Sequence, residues 1–464
     1  MLEVMIFLLS FVLFTIGIGV TSFYILTLSI FALYAADCIM AWKKRHDRGV
    51  VLLFLLSFFT FLLGQILIYM LTGLQWWAGF TIEETMVVIK GIYFALLFFP
   101  VGVVLSEHTR LSSRTISSAD RSLTITSRML SIQRIALMLF WATLAANAFE
   151  IISRVIFVIR NSYVGSYLSY SGVNIIISRL ADINRISFFL FLATVPSKQH
   201  AKRPIIIWTL LNMVSILSGG RTTAVVTLLV LFYYFIYRDE HLNEEETEWI
   251  TPRMKRMIVI AVPIIIAFLG AWNYLRNSKN VDLGFFGLLI DFFESQGGAY
   301  KHLAYAQRYA GELPQKFYTF GPVINFLRGN IFVSRLTGFR MPAQNTVAAA
   351  TIGYSYGQAI TYIVQPWNYL AGLGMGSSYL AELYYDFGYG GIIVFNILLG
   401  ALFSGLSRVS PNRTMSIFFM LVILDSTLNL PRNACMAWFT SITSITLWLT
   451  LLLVYLVTYK RRVP

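Results

Sequence analysis

Long apolar runs separated by short polar segments make up most of the chain. A helix needs about 20 apolar residues to cross a bilayer, and it satisfies its own backbone hydrogen bonds there. Runs of that kind predict twelve membrane-spanning helices, at about residues 2–19, 22–41, 50–72, 84–106, 135–158, 178–196, 204–219, 222–238, 257–275, 378–406, 414–430 and 435–458. The pattern therefore predicts an all-α polytopic integral membrane protein.

The connections between these runs differ in basic content. If the N-terminus lies in the cytoplasm, the cytoplasmic segments hold 21 of the 36 lysines and arginines; they are 42–49, 107–134, 197–203, 238–256, 407–413 and the tail from 460. Short basic loops stay on the cytoplasmic side of a membrane. We therefore expect both termini in the cytoplasm.

An arrangement with eleven spans is the alternative, because the boundary between the first two spans, near Gly17 and Gly19, rests on length alone. It would separate the basic tail from the basic loops of the N-terminal half, which the charge rule disfavours. The apolar run from Val4 to Met40 is too long for a cleaved signal peptide.

The composition agrees with a membrane protein. Hydrophobic residues make up 57% of the chain and charged residues 12%, with a mean hydropathy of +0.69, whereas soluble domains carry about 25% charged residues. Basic residues flanking the spans account for the net charge of +14 without nucleic acid as a partner. Cys38 and Cys435 are predicted at opposite membrane faces, about 30 Å apart, which excludes a disulfide between them.

Residues 276–376, here called the long connection, are neither strongly apolar nor of low complexity. Their eighteen aromatic residues argue against disorder, and connections of this length are usually functional. We expect short helices at Phe285–Phe293 and Val347–Leu370 on the outer membrane surface. The sequence thus divides into spans 1–275, the long connection, and spans 377–464 with a basic tail.

Arginine is enriched outside the predicted cytoplasmic segments. Fifteen basic residues lie there, and arginine outnumbers lysine eleven to four. Arginine binds phosphate through a planar fork and keeps its charge, so an anionic ligand such as a diphosphate would explain the excess. The alternative for some of them is a structural ion pair, since Arg179, Asp182 and Arg185 have helical spacing.

Arg221 follows Ser218, Gly219 and Gly220 in a turn between two apolar helices. Glycines permit a close backbone approach, and free amides at a helix start bind anions. Arg221 is therefore a candidate for anion binding, with a lipid headgroup anchor as the alternative.

Two acidic residues and one histidine are the candidates for acid–base chemistry. Glu382 and Asp386 share a helix face at positions i and i+4, which disfavours ionisation of both and suits one of them to act as a base. Hydrogen bonding to Ser377 or Tyr379 is the structural alternative. His302 is the one histidine of the long connection and the reserve candidate for the base.

Tyrosines that alternate with serine and glycine after Arg160 could stack on sugars. Tyr163 and Tyr167 are the candidates there, and Tyr379 is a further candidate for glycan contact. Interfacial tyrosine is common in membrane proteins, so anchoring at the membrane surface is the alternative.

These features, in this order and with this predicted sidedness, resemble the bacterial polysaccharide repeat-unit polymerase (Wzy) family, which includes O-antigen and enterobacterial common antigen polymerases. The segments that carry the resemblance are Arg160-Asn-Ser-Tyr163, Asn184-Arg185-Ile-Ser-Phe-Phe, Ser218-Gly-Gly-Arg221-Thr, Arg276, Gly376 to Gly388 with Glu382, and Pro431-Arg432.

The resemblance implies an enzyme of the cytoplasmic membrane, with a GT-C-like arrangement and its active site on the outer face. Its donor and acceptor would be undecaprenyl-diphosphate-linked oligosaccharides, and a Wzz-like co-polymerase would regulate chain length. Arg160, Arg185, Arg221, Arg276 and Arg432 would bind diphosphate, and Glu382, Arg221, Arg432 and His302 would form the catalytic set. No metal and no cofactor are expected.

Two other functions remain open. An O-antigen ligase has a similar topology and also uses outer arginines. A secondary transporter or lipid flippase would place charges at mid-membrane depth, whereas the charges here concentrate toward one side.

Overall fold

The computed structural model describes residues 2–111, 123–161, 165–166, 170, 172–219, 221–241, 248–276 and 282–460. All regular secondary structure within these ranges is helical, as the sequence predicts. The α-helices are α1 (Leu2–Val20), α2 (Phe23–Lys43), α3 (Gly49–Phe58), α4 (Gly64–Leu71), α5 (Ile82–Leu111), α6 (Ser127–Asn161), α7 (Ile175–Ala193), α8 (Lys198–Val214), α9 (Arg221–Asp239), α10 (Pro252–Arg276), α11 (Phe285–Gln296), α12 (Lys301–Arg308), α13 (Gly321–Arg328), α14 (Ile331–Thr337), α15 (Val347–Ile352), α16 (Tyr356–Val364), α17 (Pro366–Leu370), α18 (Tyr379–Leu406), α19 (Thr414–Thr427), α20 (Ala437–Thr443) and α21 (Ile445–Lys460).

Ten helical stretches among the described residues are long and apolar enough to cross a membrane, so the chain is a multi-pass membrane protein. They match ten of the twelve predicted spans. The other two predicted spans fall on α7 and α8. Helix α7 carries Arg179, Asp182 and Arg185, and α8 has only 17 residues. The count of twelve, and the orientation of the termini, stay predictions.

The chain forms two compact units. Unit 1 comprises Met1–Thr115, Ile290–Arg408 and Leu428–Ala437; unit 2 comprises Ile116–Leu289, Val409–Thr427 and Trp438–Pro464. The predicted division at residues 275 and 376 follows the membrane spans instead, and it stays a prediction.

In unit 1, α5 and α18 pack in direct backbone contact. A Cβ atom on Gly102 would lie 1.8 Å from the carbonyl oxygen of Ile397, and one on Gly400 would lie 2.1 Å from that of Phe99. Small residues allow such close approach between membrane helices. This contact holds α18 firmly along its second half.

A π-helical turn at Phe59–Leu63 joins α3 to α4. Two other parts of unit 1 pack against α3 and α4 on either side of this turn. Gly297 packs so closely that a Cβ atom would lie 2.2 Å from the amide nitrogen of Gln65, and the hydroxyl of Ser57 donates to the carbonyl of Leu428. The end of α11 and the segment 428–437 are therefore both fixed against α3 and α4.

Unit 2 is held together by buried polar contacts between helices. The side-chain amide of Asn184 donates to the carbonyl of Phe140 at 2.7 Å and accepts from Asn147 at 2.9 Å, which joins α7 to α6. The hydroxyl of Tyr234 donates to the carbonyl of Leu192 at 2.9 Å, which joins α9 to α7. Such bonds satisfy polar groups that lipid cannot satisfy.

The described part of the long connection is largely helical, from α11 to α17. The helix predicted at Phe285–Phe293 is confirmed as Phe285–Gln296. The stretch predicted at Val347–Leu370 is helical but consists of three short helices, with interruptions at Gly353 and Gln365. Their position on the outer membrane surface stays a prediction.

Candidate functional site

Glu382 lies in the first turn of α18 and is 1% exposed. The hydroxyl of Ser377 donates to its Oε1 at 2.6 Å, and the backbone N–H of Cys435 donates to its Oε2 at 2.8 Å. The helix start also favours a negative charge at this position. The buried carboxylate is thus held by two donors from two separate segments of unit 1.

Arg432 is brought near this carboxylate by the segment that carries Cys435. It closes a short 3₁₀ turn, Leu430–Arg432, and its Nη1 donates to Oε1 of Gln296 at the end of α11. The side chain is half-buried. Since Cys435 and Gln296 anchor the segment from both sides, the guanidinium has a defined position within unit 1.

His302 is buried in the same unit, at 3% exposure in α12. Its Nε2 lies 3.3 Å from the carbonyl oxygen of Met375, which can only accept, so Nε2 carries the proton. Its Nδ1 is buried and has no hydrogen-bond partner within the described residues. The hydroxyl of Tyr356 donates to the carbonyl of His302 at 2.8 Å and fixes this part of α12.

The pKa of His302 is lowered to about 4, chiefly by burial; the hydrogen bond to Met375 opposes this shift, and the positive charges of Arg432 and Lys301 contribute to it. The ring is therefore neutral at neutral pH, with an available lone pair on Nδ1. His302 is also linked to the surroundings of Glu382, because Met375, which its Nε2 contacts, lies two residues before Ser377, which donates to Glu382.

Unit 1 thus brings together three of the four predicted catalytic residues, here called the unit 1 cluster: Glu382, His302 and Arg432. It contains a carboxylate, a neutral imidazole and a guanidinium. Such a set can accept a proton and stabilise a developing negative charge.

Asp386, the predicted partner of Glu382, has different surroundings. Its Oδ1 accepts the backbone N–H of Tyr318 at 3.1 Å, and its Oδ2 accepts that of Thr319 at 2.6 Å. The two carboxylates therefore accept hydrogen bonds from different segments, although both lie at the start of α18.

Arg221, the fourth predicted catalytic residue, belongs to unit 2. It begins α9 directly after the turn in which Gly219 has a φ of 90°. Its Nη1 donates to the carbonyl of Leu269 in α10 at 3.2 Å, and the side chain is half-buried. The tight turn and the helix start are those that the sequence indicated.

The other arginines of unit 2 have varied environments. Arg185 forms an ion pair with Asp425, with its Nη2 at 2.5 Å from Oδ2, and Arg179 pairs with Asp182 at 3.2 Å as its spacing predicted. Arg160 is exposed at the end of α6. Arg276 ends α10, and its side chain lies outside the described part of the structure.

Of the predicted glycan contacts, Tyr163 and Tyr167 lie outside the described residues. Tyr379 is fully buried, and its hydroxyl donates to Oδ1 of Asn396 at 2.9 Å. Its ring is enclosed by protein in this structure, and its role in glycan contact stays a prediction.

Two contributors to the cluster had no signal in the sequence. Gln296 positions the guanidinium of Arg432 through its side chain, and Cys435 contributes only its backbone N–H. A backbone donor can belong to any residue type, and a lone glutamine has no characteristic spacing. Only the fold shows that these residues lie beside the predicted ones.

A family model described as O-antigen polysaccharide polymerase Wzy matches residues 2–462. Comparison with curated proteins and with solved structures gave no match. The family match covers essentially the whole chain and confirms the resemblance seen in its short motifs. The chain therefore belongs to the O-antigen polysaccharide polymerase (Wzy) family of membrane transferases in polysaccharide biosynthesis.

Proposed function

We propose that the chain polymerises undecaprenyl-diphosphate-linked oligosaccharide repeat units at the outer face of the cytoplasmic membrane. Membership of the family supports a glycosyltransferase-like polymerase that acts on lipid-linked repeat units. In each cycle the growing glycan leaves its lipid diphosphate and joins a new lipid-linked unit. A Wzz-like co-polymerase would set the final chain length.

The chemistry needs a base and a cation. A hydroxyl oxygen of the acceptor sugar attacks the anomeric carbon of the donor, and the bond from that carbon to the diphosphate oxygen breaks. The hydroxyl proton passes to the base, and the lipid diphosphate leaves with the bonding electrons. Fixed positive charge stabilises the negative charge that develops on this leaving group.

We assign the base to Glu382 and the stabilising charge in unit 1 to Arg432. The observation that carries this assignment is the unit 1 cluster, in which both side chains are anchored by named partners around residues 432–435. Each carboxylate oxygen has a second lone pair, so Glu382 can take a proton without losing either bond. His302, with its neutral Nδ1, is the reserve base.

The arginines of unit 2 would bind the diphosphates of donor and acceptor. They are Arg160, Arg185, Arg221 and Arg276. The best supported is Arg221, because it stands at the start of α9 beside a glycine turn, where backbone amides and a guanidinium can serve one phosphate.

Because Glu382 is buried, sugar can reach it only if its cover moves. Ser377, which donates to Glu382, ends a stretch in which Gly372 and Gly376 both have a φ of 88°. Glycine tolerates large backbone changes at low cost. We propose that this stretch opens when the acceptor binds.

The purified protein in lipid vesicles, supplied with a lipid-linked repeat unit, tests the proposal. A polymerase gives a ladder of products that grows by whole units. A ligase gives a single transfer to a different acceptor, and a transporter gives movement of the substrate without any new glycosidic bond; either result would exclude polymerisation. Since arginine rather than a metal supplies the charge in this proposal, a chelator should leave the ladder intact.

A further inference from the structure

Unit 1 contains an open cleft with a volume of about 710 Å³, separate from the contacts that hold Glu382. One wall comes from the end of α12 and the turn after it, with Gln307 and Ala310. The opposite wall comes from α18, with Tyr384, Asp386 and Tyr389. Ligand pockets in proteins commonly have volumes of about 300 to 1,000 Å³, so the cleft has room for a short oligosaccharide.

A break in α18 lies in the wall of the cleft. Gly388 has φ 62° and ψ −154°, which are not helical values, so the helix is interrupted between Phe387 and Tyr389. This combination of angles is available essentially to glycine alone. The interruption lies in the cleft wall, between Asp386 and Tyr389.

The polar groups of the cleft are held in fixed positions. Asp386 accepts two backbone N–H groups, one on each oxygen, and each oxygen of a carboxylate can accept a second hydrogen bond. The hydroxyl of Tyr384 donates to Oε1 of Gln307 at 2.7 Å. This bond uses the amide oxygen of Gln307, so its amide nitrogen can donate to a ligand. Fixed acceptors and donors of this kind suit a ligand with many hydroxyl groups.

The charge of the cleft argues against a phosphate ligand. Its carboxylate repels anions. Its cation, Lys316, donates to the carbonyls of Thr351 and Gly353 and lies 5.1 Å from the ring centre of Tyr354. The rings of Tyr384 and Tyr389, with centres 5.2 Å apart, add aromatic surface. Hydroxyl-binding groups beside aromatic rings match an uncharged sugar better than a diphosphate.

We propose that this cleft binds uncharged sugar residues of the oligosaccharide repeat unit. Asp386 accepts sugar hydroxyls, Gln307 donates to sugar oxygens, and the tyrosines form an apolar contact surface. The inference rests on the proposed polymerase function, because that function supplies the substrate. It adds residues that line an open cleft to the predicted glycan contacts.

The test uses the free oligosaccharide released by mild acid from the lipid-linked repeat unit. Its binding to the full-length protein in lipid nanodiscs is measured by calorimetry. Ala310 is exposed and lines the cleft, so Ala310→Trp fills the cleft with little effect on packing. Glu312 is exposed two residues later and does not line it, so Glu312→Trp is the matched control. Tyr384→Phe removes the hydroxyl that orients Gln307.

We expect Ala310→Trp to weaken oligosaccharide binding at least tenfold, Tyr384→Phe to weaken it severalfold, and Glu312→Trp to leave it within twofold of the wild type. Binding that is unchanged in Ala310→Trp would overturn the cleft proposal, even if the wild type makes a ladder. Cleft-dependent binding of inorganic diphosphate in place of the oligosaccharide would overturn it as well. Cleft-dependent oligosaccharide binding without a ladder would support the cleft and contradict the polymerase proposal.

Discussion

The carboxylate of Glu382 accepts the backbone N–H of Cys435 at 2.8 Å, which ties the start of α18 to the segment that carries Arg432. A base and a cation that cooperate in glycosyl transfer must keep a fixed separation. Here one hydrogen bond couples the segments that bear them. A substitution at Glu382 can therefore remove the base and still keep this hydrogen bond to Cys435.

Glu382→Gln should lower the rate of elongation by about 10² to 10⁴, the usual contribution of a general base. The new amide cannot take up the proton, but its oxygen can accept from Cys435 and its NH₂ can donate to Ser377. The fold should therefore remain intact, and a thermal unfolding midpoint close to that of the wild type checks this.

Single-turnover transfer rates measure the effect of Glu382→Gln. Ser377→Ala is the control, because it removes one hydrogen bond from the carboxylate and leaves the base in place; it should reduce the rate far less. A wild-type rate in Glu382→Gln would exclude Glu382 as the base and pass that role to His302.

We expect the folded protein to lose stability in mild acid because of His302. The ordinary pKa of histidine is about 6.5, and burial lowers the pKa of His302 to about 4 in the folded protein. Between these values the unfolded chain binds a proton that the folded chain does not. The free energy of unfolding therefore falls as the pH drops from 6.5 to 4, by at most about 3 kcal/mol, and this contribution is constant below pH 4.

Thermal unfolding in nanodiscs at a series of pH values measures this loss. His302→Gln keeps an amide donor for the carbonyl of Met375 but cannot be protonated, so it should lose less stability over the window than the wild type. The exposed His200 provides the control variant His200→Gln, which should behave like the wild type. Equal losses in His302→Gln and the wild type would contradict the buried neutral state of His302.

Gly388→Ala should straighten or strain α18, because alanine disfavours φ 62° with ψ −154°. A strained backbone of this type costs about 1 to 3 kcal/mol. We expect a lower unfolding midpoint together with weaker oligosaccharide binding, measured by thermal unfolding and calorimetry on the same samples.

Gly390 offers the matched control for Gly388. A Cβ atom at Gly390 would meet no atom within 4 Å, as at Gly388, but its backbone is helical. Gly390→Ala should therefore be neutral or stabilise the helix by up to about 1 kcal/mol. If both variants behave alike, the break at Gly388 does not shape the cleft.

The ion pair of Arg185 with Asp425 allows a structural role to be separated from substrate binding. Arg185 is 41% exposed, and pairs of that kind contribute about 0 to 1 kcal/mol. Asp425→Asn should therefore change stability little and leave elongation intact. Arg185→Ala should raise the KM for the lipid-linked substrate if Arg185 binds diphosphate. An equal loss of elongation in both variants would assign Arg185 to structure alone.

The membrane-spanning architecture follows from the sequence, because apolar runs of sufficient length have few other solutions. The ion pair between Arg179 and Asp182 also follows, since helical spacing alone brings them together. Arg185 shows the limit of such reasoning. Asp182 was its neighbour by spacing, yet its observed partner is Asp425, which lies in a distant helix of the same unit.

The candidate site, too, could be predicted from the sequence only in part. Glu382 and Arg432 are recognisable by residue type and by the family motifs, and His302 by residue type alone, but the contacts that gather them are nonlocal. The break at Gly388 is equally hidden, because the residues on both sides of it favour a continuous apolar helix. The cleft in whose wall this break lies could be found only in the folded structure.

In the proposed mechanism, Arg432 stabilises the departing lipid diphosphate. The most direct measurement is the single-turnover elongation rate of Arg432→Ala in lipid vesicles, beside Arg335→Ala, which removes an exposed arginine of the long connection. We expect a fall of about 10² to 10³ for Arg432→Ala and a rate within twofold of the wild type for Arg335→Ala. A folded Arg432→Ala protein that extends the glycan at the wild-type rate would contradict it.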